Sequence, residues 1–434
     1  MIKKLIMSII FLILIFSATT NNISGEKQPI KIFYRGENLY VGGSGPENYT
    51  KIKYAIENAS NGDTIFVFKG VYQENVYVNK KVNIIGENKS NTIIDGKGKT
   101  FTVQIIVDDV FIANFSIVNA TDLFWPDPWE LGGLGIYKSR NVTIKNNIFS
   151  NNFIGICIFK SSKCTLRNNL MYGCNMAIWG DDLNAYIHDI DSSNRANERP
   201  ISYNKDKKDV IISGDLGEVF LINCTNCSVS NLNITKVTNG IQVCYSNNII
   251  IKNSIIKNIN STALHFDHSN NNIVCNNTFL HHKHLDSIFL DLSKNNIFKY
   301  NIVKGYGAAI TLMRKSNFNM FYKNDLSSKN LHSMIIDKSN WNKIICNNIN
   351  GSFIKKALNK NTLGVSGDVL LSQGAFFNKF YKNYWRERIL NGKNFIKHFP
   401  KIIFGVGSAI VEPHTFPIFI DFDFHPANEP YQIS

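Results

Sequence analysis

Between Gly240 and Ile349 the chain writes one phrase five times: GIQVCYSNNIIIKNSI, ALHFDHSNNNIVCNNTF, SIFLDLSKNNIFKYNIV, AITLMRKSNFNMFYKNDL and MIIDKSNWNKIICNNI. Each copy has an alternating apolar stretch, a Ser/Asn turn, a second short apolar stretch and then an Asn. That Asn falls at Asn253, Asn277, Asn301, Asn324 and Asn347, in steps of 24, 24, 23 and 23, with an apolar residue two positions later. A fixed period of this length marks a stacked repeat. The unit is too short for two helices, and it alternates with period two. Three short strands and three turns fit it, so each copy is one coil, laid on the next at the roughly 4.8 Å spacing of paired strands. The expected fold is all-β, a parallel β-helix. It is right-handed because crossovers between parallel strands take that hand, and it holds roughly 10–13 coils.

The Asn column has a physical cause. An amide repeated at each coil offers a donor and an acceptor to its neighbours above and below, and Asn tolerates the left-handed backbone of tight turns. Asn114, Asn146, Asn168, Asn231 and Asn383 extend the column, which places Asn114 in the interior. Both ends of a solenoid need covering. Ile52, Ala55, Ile56 and Ala59 have helical spacing, and Asn61-Gly62-Asp63 stops the run, so a short helix caps the N-terminal end. The expected layout is a signal peptide over residues 1–24, the β-helix over 25–385 with interruptions near 121–133 and 191–218, and a C-terminal capping segment over 386–434.

Met1–Phe16 sets two lysines before a short apolar run, the plan of an export signal and too short for a comfortable membrane span. The chain is expected to be secreted, at the cell surface or periplasmic, with no other membrane segment. Its formal charge of +14 fits either a solvated surface or an anionic partner such as a glycan, a wall polymer or nucleic acid. No arginine-rich patch interleaved with aromatics argues for nucleic acid. Eight cysteines lie in the repeat region without metal-ligand spacing, and Cys224 and Cys227 form a lone C-x-x-C. In stacked coils Cys serves as a small buried apolar residue, although export leaves disulfides open.

YTKIKYAIENASNGDTIFVFKGVYQENVYVNKKVNIIGENKSNTIIDG resembles the opening of pectin-lyase-like right-handed β-helices. Asn194–Ile234, with GDLGEVFLINCTNCSVSNLNI at its end, is similar to the mid-helix insertion of NosD-like proteins, and Asn383-Tyr384-Trp385 to their closing coil. The resemblance implies a NosD-like surface protein and brings in copper, since NosD proteins are associated with copper supply to nitrous oxide reductase. The catalytic series of polygalacturonases (GHG and RIK) and of pectin methylesterases (GxVDFIFG) are missing. Asp181-Asp182 is the only echo of the former.

Several constellations carry candidate chemistry. Aligned on the turn Ser, the copies place Cys244, Asp267, Asp291, Arg314 and Asp337 in one column, expected to face outward into a groove with Gln242 and His265 beside it. Stacked carboxylates shift one another's pKa and serve as acid and base or hold Ca²⁺. Alternatively, Arg314 simply neutralises Asp291 and Asp337 as a ladder of ion pairs. Trp125 and Trp129 sit in TDLFWPDPWELGG, a loop suited to stacking on sugar rings. His281, His282 and His284 form a metal candidate, as do Asp421, Asp423 and His425 on an alternating strand. Asn-x-Ser/Thr sequons occur at Asn48, Asn58 and Asn260. Three functions fit: a non-catalytic exported protein binding a glycan or envelope polymer along its groove, a polysaccharide lyase or hydrolase using the acidic column, and a NosD-like copper-delivery accessory.

Overall fold

Alternating apolar residues in strands of three to five residues cannot bury one face alone, so each strand is laid parallel on its equivalent one coil away. In the computed structural model this repetition gives a right-handed parallel β-solenoid of about 13 turns. The structure describes residues 36–120, 132–281, 286–329, 332–351, 369–372, 375, 377–385, 401–406, 418–423 and 425–433. Each coil has three strands. On the first face Ile241–Cys244, Leu264–Asp267, Ile288–Asp291, Ile310–Met313 and Met334–Asp337 follow one another in parallel. The second face runs through Ile250–Lys252 and Ile273–Cys275, and the third through Ile255–Ile259 and Thr278–His281. Val243, Phe266, Leu290, Leu312 and Ile336 point inward on the first face and are fully buried. Across the interior, the Phe298 and Phe321 rings stack at 5.0 Å.

The corners are held by side-chain ladders. Asn277, Asn301, Asn324, Asn347 and Asn383 are buried, as the repeat predicts. Each bonds to the next: Asn277 Nδ2 donates to Asn301 Oδ1 (3.1 Å), Asn301 Nδ2 to Asn324 Oδ1 (3.0 Å) and Asn324 Nδ2 to Asn347 Oδ1 (2.9 Å). Below Asn277 the column differs from the expectation by one residue. Ser254, not Asn253, is the buried member, and its N–H donates to Asn277 Oδ1 (2.9 Å). Likewise Asn147 and Asn169 are buried in the ladder, whereas Asn146 and Asn168 sit outside it. Phe115 and Leu232 take the inward place beside Asn114 and Asn231. Asn114 is half-buried and accepts from Asn146 Nδ2. A second Asn ladder, Asn272–Asn296–Asn319–Asn342–Asn378, holds the next corner. Ser246, Ser269, Ser293, Ser316 and Ser339 hold the start of that same corner, between the first and second faces.

The residue preceding each ladder position is left-handed: φ is 53° at Asn253, 55° at Asn276 and 57° at Asn271. That conformation costs an ordinary residue about 1–2 kcal/mol, and Asn less. The register therefore requires two different things of two adjacent residues, a turn former outside and a hydrogen-bonding amide inside.

The helix Ile52–Asn58 buries Ile52, Ala55 and Ile56 against the first coils. Glu74 caps it, its carboxylate accepting from Ile52 N–H (2.8 Å) and Lys53 N–H (3.1 Å). At the other end Lys401–Val406 and Ile418–Asp423 form an antiparallel pair. Asp423 turns inward and is fully buried, so the alternation does not set it on an exposed strand face. It accepts from Asn383 and from Trp385 Nε1, and the His425 ring lies against Tyr381.

Among the described residues the stack is dislocated after the strand Met176–Trp179. That strand ends its sheet of five, and its open backbone edge is met by side chains instead of a strand. Glu218 accepts from Met176 N–H, Gln242 accepts from Ile178 N–H, and Asn239 donates to Met176 C=O. The chain then leaves the coil path through a short 3₁₀ turn, Leu183–Tyr186. His188 is buried behind it, with Nδ1 accepting from Cys164 N–H (3.3 Å) and Nε2–H donating to Ala185 C=O (3.0 Å). Burial holds its pKa down, from 6.5 to about 4, with Lys205 adding to the effect. The unfolded chain therefore takes up this proton first as pH falls. Stability from His188 is complete above pH 6.5 and declines toward pH 4, by up to about 3 kcal/mol. Urea midpoints measured across that window should fall with pH in the wild type. They should fall less steeply in His188→Gln, which starts from a lower midpoint at neutral pH.

Candidate functional site

The first face carries the acidic column, and alternation sets its side chains outside the coil. Cys244 pairs with Asp267 and Asp267 with Asp291 in register. The expected order then breaks, because Met313, not Arg314, pairs with Asp291. The corner there is one residue longer. Ser316 Oγ donates to Met313 C=O three residues back, where Ser269 and Ser293 reach two residues back to Asp267 and Asp291. Arg314 and Lys315 absorb the extra residue in left-handed conformations, φ 45° and 68°. From that corner the Arg314 guanidinium folds back on Asp291, with Nε donating to Oδ1 at 2.7 Å and Nη2 bonded to Oδ2. Asp337 lies farther along, beside Ser372.

The column is not an open groove. Cys244, Asp267, Asp291 and Asp337 are 0%, 3%, 6% and 8% exposed, and Gln242 and His265 are buried too. Around Gln242 and Asp267 the cause is the dislocation, which lays other parts of the chain over the first face. Gln242 bonds to Ile178. Tyr186, 81 residues from Asp267, donates its hydroxyl to Asp267 Oδ2 at 2.6 Å. The other oxygen, Oδ1, accepts from His268 Nδ1–H at 2.8 Å, and the His268 ring stacks on Tyr245 at 4.6 Å. His265 lies between Gln242 Nε2 (3.3 Å) and the Phe289 ring (5.4 Å). Burial first, and Arg314 second, hold its pKa below the usual imidazole value, while Asp267 and Asp291 oppose them. Burial likewise pushes the Tyr186 hydroxyl and the Cys244 thiol well up.

Two carboxylates are thus satisfied from within, Asp267 by Tyr186 and His268, Asp291 by Arg314. What meets solvent above them is cationic or titratable: the Arg314 side chain is 60% exposed and the His268 side chain 33%. The sequence reading missed Tyr186, His268 and Tyr245. His268 had a signal, its place beside Asp267 in HFDHSN, whereas nothing local marks Tyr186. Trp125, Trp129, His282 and His284 lie outside the described residues, and of His281 only the strand backbone is described.

Copper requires soft or imidazole donors in one sphere. All eight cysteines are free, and six are buried in the stack. Burial pushes Cys157, Cys164 and Cys174 up to about 12, so they stay thiols. Among the described residues no three His, Cys, Asp or Glu side chains are arranged to hold a metal ion. These residues do not fit a copper centre, and the paired state of Asp267 and Asp291 does not fit a Ca²⁺ cage.

The family described as "Periplasmic copper-binding protein (NosD)" matches residues 201–389, and over that stretch the chain is similar to NosD-like β-helices. No curated protein sequence matches the chain. Among solved structures it is similar to the A-module of mannuronan C-5 epimerase AlgE6 of Azotobacter vinelandii, with 10% identity over 77% of this chain and 88% of that one and a TM-score of 0.33. The periplasmic alginate epimerase AlgG matches with 11% identity over 78% and 84% and a TM-score of 0.34. A DFA-IIIase of Arthrobacter chlorophenolicus matches with 10% identity over 80% and 95% and a TM-score of 0.34. No helix among the described residues is long and apolar enough to cross a membrane.

Proposed function

We propose that this is an exported, periplasmic or surface β-helix protein that binds an anionic polysaccharide of the cell envelope at the first face, with Arg314 and His268 as the contact point. One observation carries the reading: Asp267 and Asp291 are hydrogen-bonded beneath a guanidinium and an imidazole that face solvent. A fork-shaped donor held in place on a buried carboxylate is suited to a uronate carboxylate or a phosphate. The formal charge of +14 supports an acidic partner, and the Met1–Phe16 run and the periplasmic description of the matching family support export. On this reading residues 1–24 are removed, 25–385 form the solenoid and 386–434 cover its end.

The test is binding of polygalacturonate, scored against a neutral glucan, by the mature wild type, Arg314→Ala and Arg314→Lys. Losing a charge-assisted contact costs about 1.5–3 kcal/mol, or roughly tenfold to a hundredfold in Kd. Arg314→Lys keeps the charge over Asp291 but not the fork, so it should weaken binding less. Equal affinity in all three proteins would remove Arg314 from the site.

A second reading rests on the Asp267–His268 contact. With Nδ1–H held by Asp267, His268 Nε2 is left as an acceptor, the arrangement of an oriented general base. In a polysaccharide lyase it would take the proton beside a uronate carboxylate held by Arg314. The glycosidic C–O bond then breaks, and water protonates the leaving oxygen. Unsaturated ends appearing on polygalacturonate or alginate, and lost in His268→Gln, would establish this reading; their absence would leave binding alone.

A further inference from the structure

One corner of the solenoid changes character near its C-terminal end. The left-handed position before the second Asn ladder is Asn248, Asn271 and Asn295 in three coils, with φ 56–57°. In the next three coils it is Phe318, Trp341 and Phe377, with φ 59°, 61° and 58°. Asn suits that backbone, whereas a bulky side chain there is an outlier. Bulky left-handed residues stand at other corners too, such as Tyr245, Leu292 and Tyr300, but those are half-buried. Burial does not explain the aromatics, because the three residues are 53%, 50% and 67% exposed. The Trp341 and Phe377 rings stack at 4.5 Å and 12°. Cations line both sides. Lys315 and Lys338 stand three residues before Phe318 and Trp341, Lys343 and Lys379 two residues after Trp341 and Phe377, and all four are exposed. Lys343 and Lys379 are in register. The one acid in these turns, Asp337, is buried. Arg314 opens the same turn that ends in Phe318.

We propose that Phe318, Trp341 and Phe377 form a second glycan subsite, in which aromatic rings take the apolar faces of pyranose units while the flanking lysines take their carboxylates. The identity of the ligand, an acidic polysaccharide continuing from Arg314, rests on the function proposed above; the ridge itself rests on its own geometry. Aromatic rings edged by cations suit a chain of alternating apolar ring faces and anionic groups. A second copy of this chain is a poorer occupant, since it would set lysine rows against lysine rows on a chain of charge +14.

The test restores the residue the preceding coils use. The triple variant Phe318→Asn, Trp341→Asn, Phe377→Asn relieves the backbone and should fold at least as well as the wild type, checked by its thermal midpoint. Polygalacturonate oligomers are titrated into wild type, the triple variant and Arg314→Lys, with cello-oligosaccharides as the neutral probe and sedimentation as a control. The expected result is a Kd for polygalacturonate at least tenfold weaker in the triple variant, with unchanged sedimentation. Wild-type affinity in the triple variant, with Arg314→Lys weakened, would overturn the ridge and leave the first site standing. A change in sedimentation without a change in glycan affinity would make the ridge a self-association surface and overturn the proposal. If the wild type ignores polygalacturonate, the first reading fails; the ridge then survives only if cello-oligosaccharides bind and the triple variant loses them.

Discussion

Asn277→Ala should destabilise the solenoid by about 3 kcal/mol, while Asn276→Ala next to it should cost about 1 kcal/mol and Asn276→Gly close to nothing. Asn277 is buried in the ladder. Its Oδ1 accepts from Ser254 N–H (2.9 Å), and its Nδ2 donates to Ile251 C=O (2.9 Å) and Asn301 Oδ1 (3.1 Å). Alanine leaves buried backbone groups of the preceding coil without partners, and no water reaches them to substitute. Asn276 is exposed, and what matters there is its φ of 55°, which glycine adopts freely. Urea midpoints of the three variants, with hydrogen exchange to locate the loss, check this. Equal effects of Asn276→Ala and Asn277→Ala would contradict the ladder register.

Asp423→Ala should have the larger effect, about 4 kcal/mol, because it strands several donors at once. Asp423 ends the Asn ladder with a charge. Oδ2 accepts from Asn383 N–H (2.9 Å), Asn383 Nδ2 (3.1 Å) and Trp385 Nε1–H (3.0 Å), and Oδ1 from Lys382 N–H (3.2 Å) and His425 N–H (3.2 Å). A column of amides each donating toward the next coil must finish on an acceptor, and a carboxylate supplies two oxygens. In a repeat fold a coil is stabilised chiefly by its neighbours, so protection should fail first in Lys379–Trp385 and spread toward Asn348. Asp423→Asn keeps one acceptor oxygen and should recover part of the loss. A midpoint unchanged in Asp423→Ala would show that the terminal strand pair does not close the stack.

The repeat was legible because a period of 23 or 24 residues combined an amide with an apolar contrast two positions on. Where that contrast failed, the register slipped by one. Ile255 and Ile256 are both apolar, yet Ile255 is 45% exposed and Ile256 buried, so Asn253 reads like a ladder residue and Ser254 does not. The second ladder was hidden by abundance: in Asn270-Asn271-Asn272 all three residues look alike, and only Asn272 is fully buried. Aligning the copies on Ser316 put Arg314 in the acidic column, since a single extra corner residue leaves no mark on composition. The covering of the column was beyond the sequence altogether, because Ile178 and Tyr186 reach Gln242 and Asp267 across a dislocation that no local pattern encodes. Phe318, Trp341 and Phe377 drew no notice in the sequence, and it is their backbone conformation and exposure that set them apart.

Titration of the mature wild-type protein with polygalacturonate beside a neutral glucan, at low and at moderate salt, tests the central claim most directly. The account predicts saturable binding to the acidic polymer that weakens as salt screens exposed charges, with the neutral glucan far weaker. Equal binding to both polymers, or none to polygalacturonate at low salt, would contradict it.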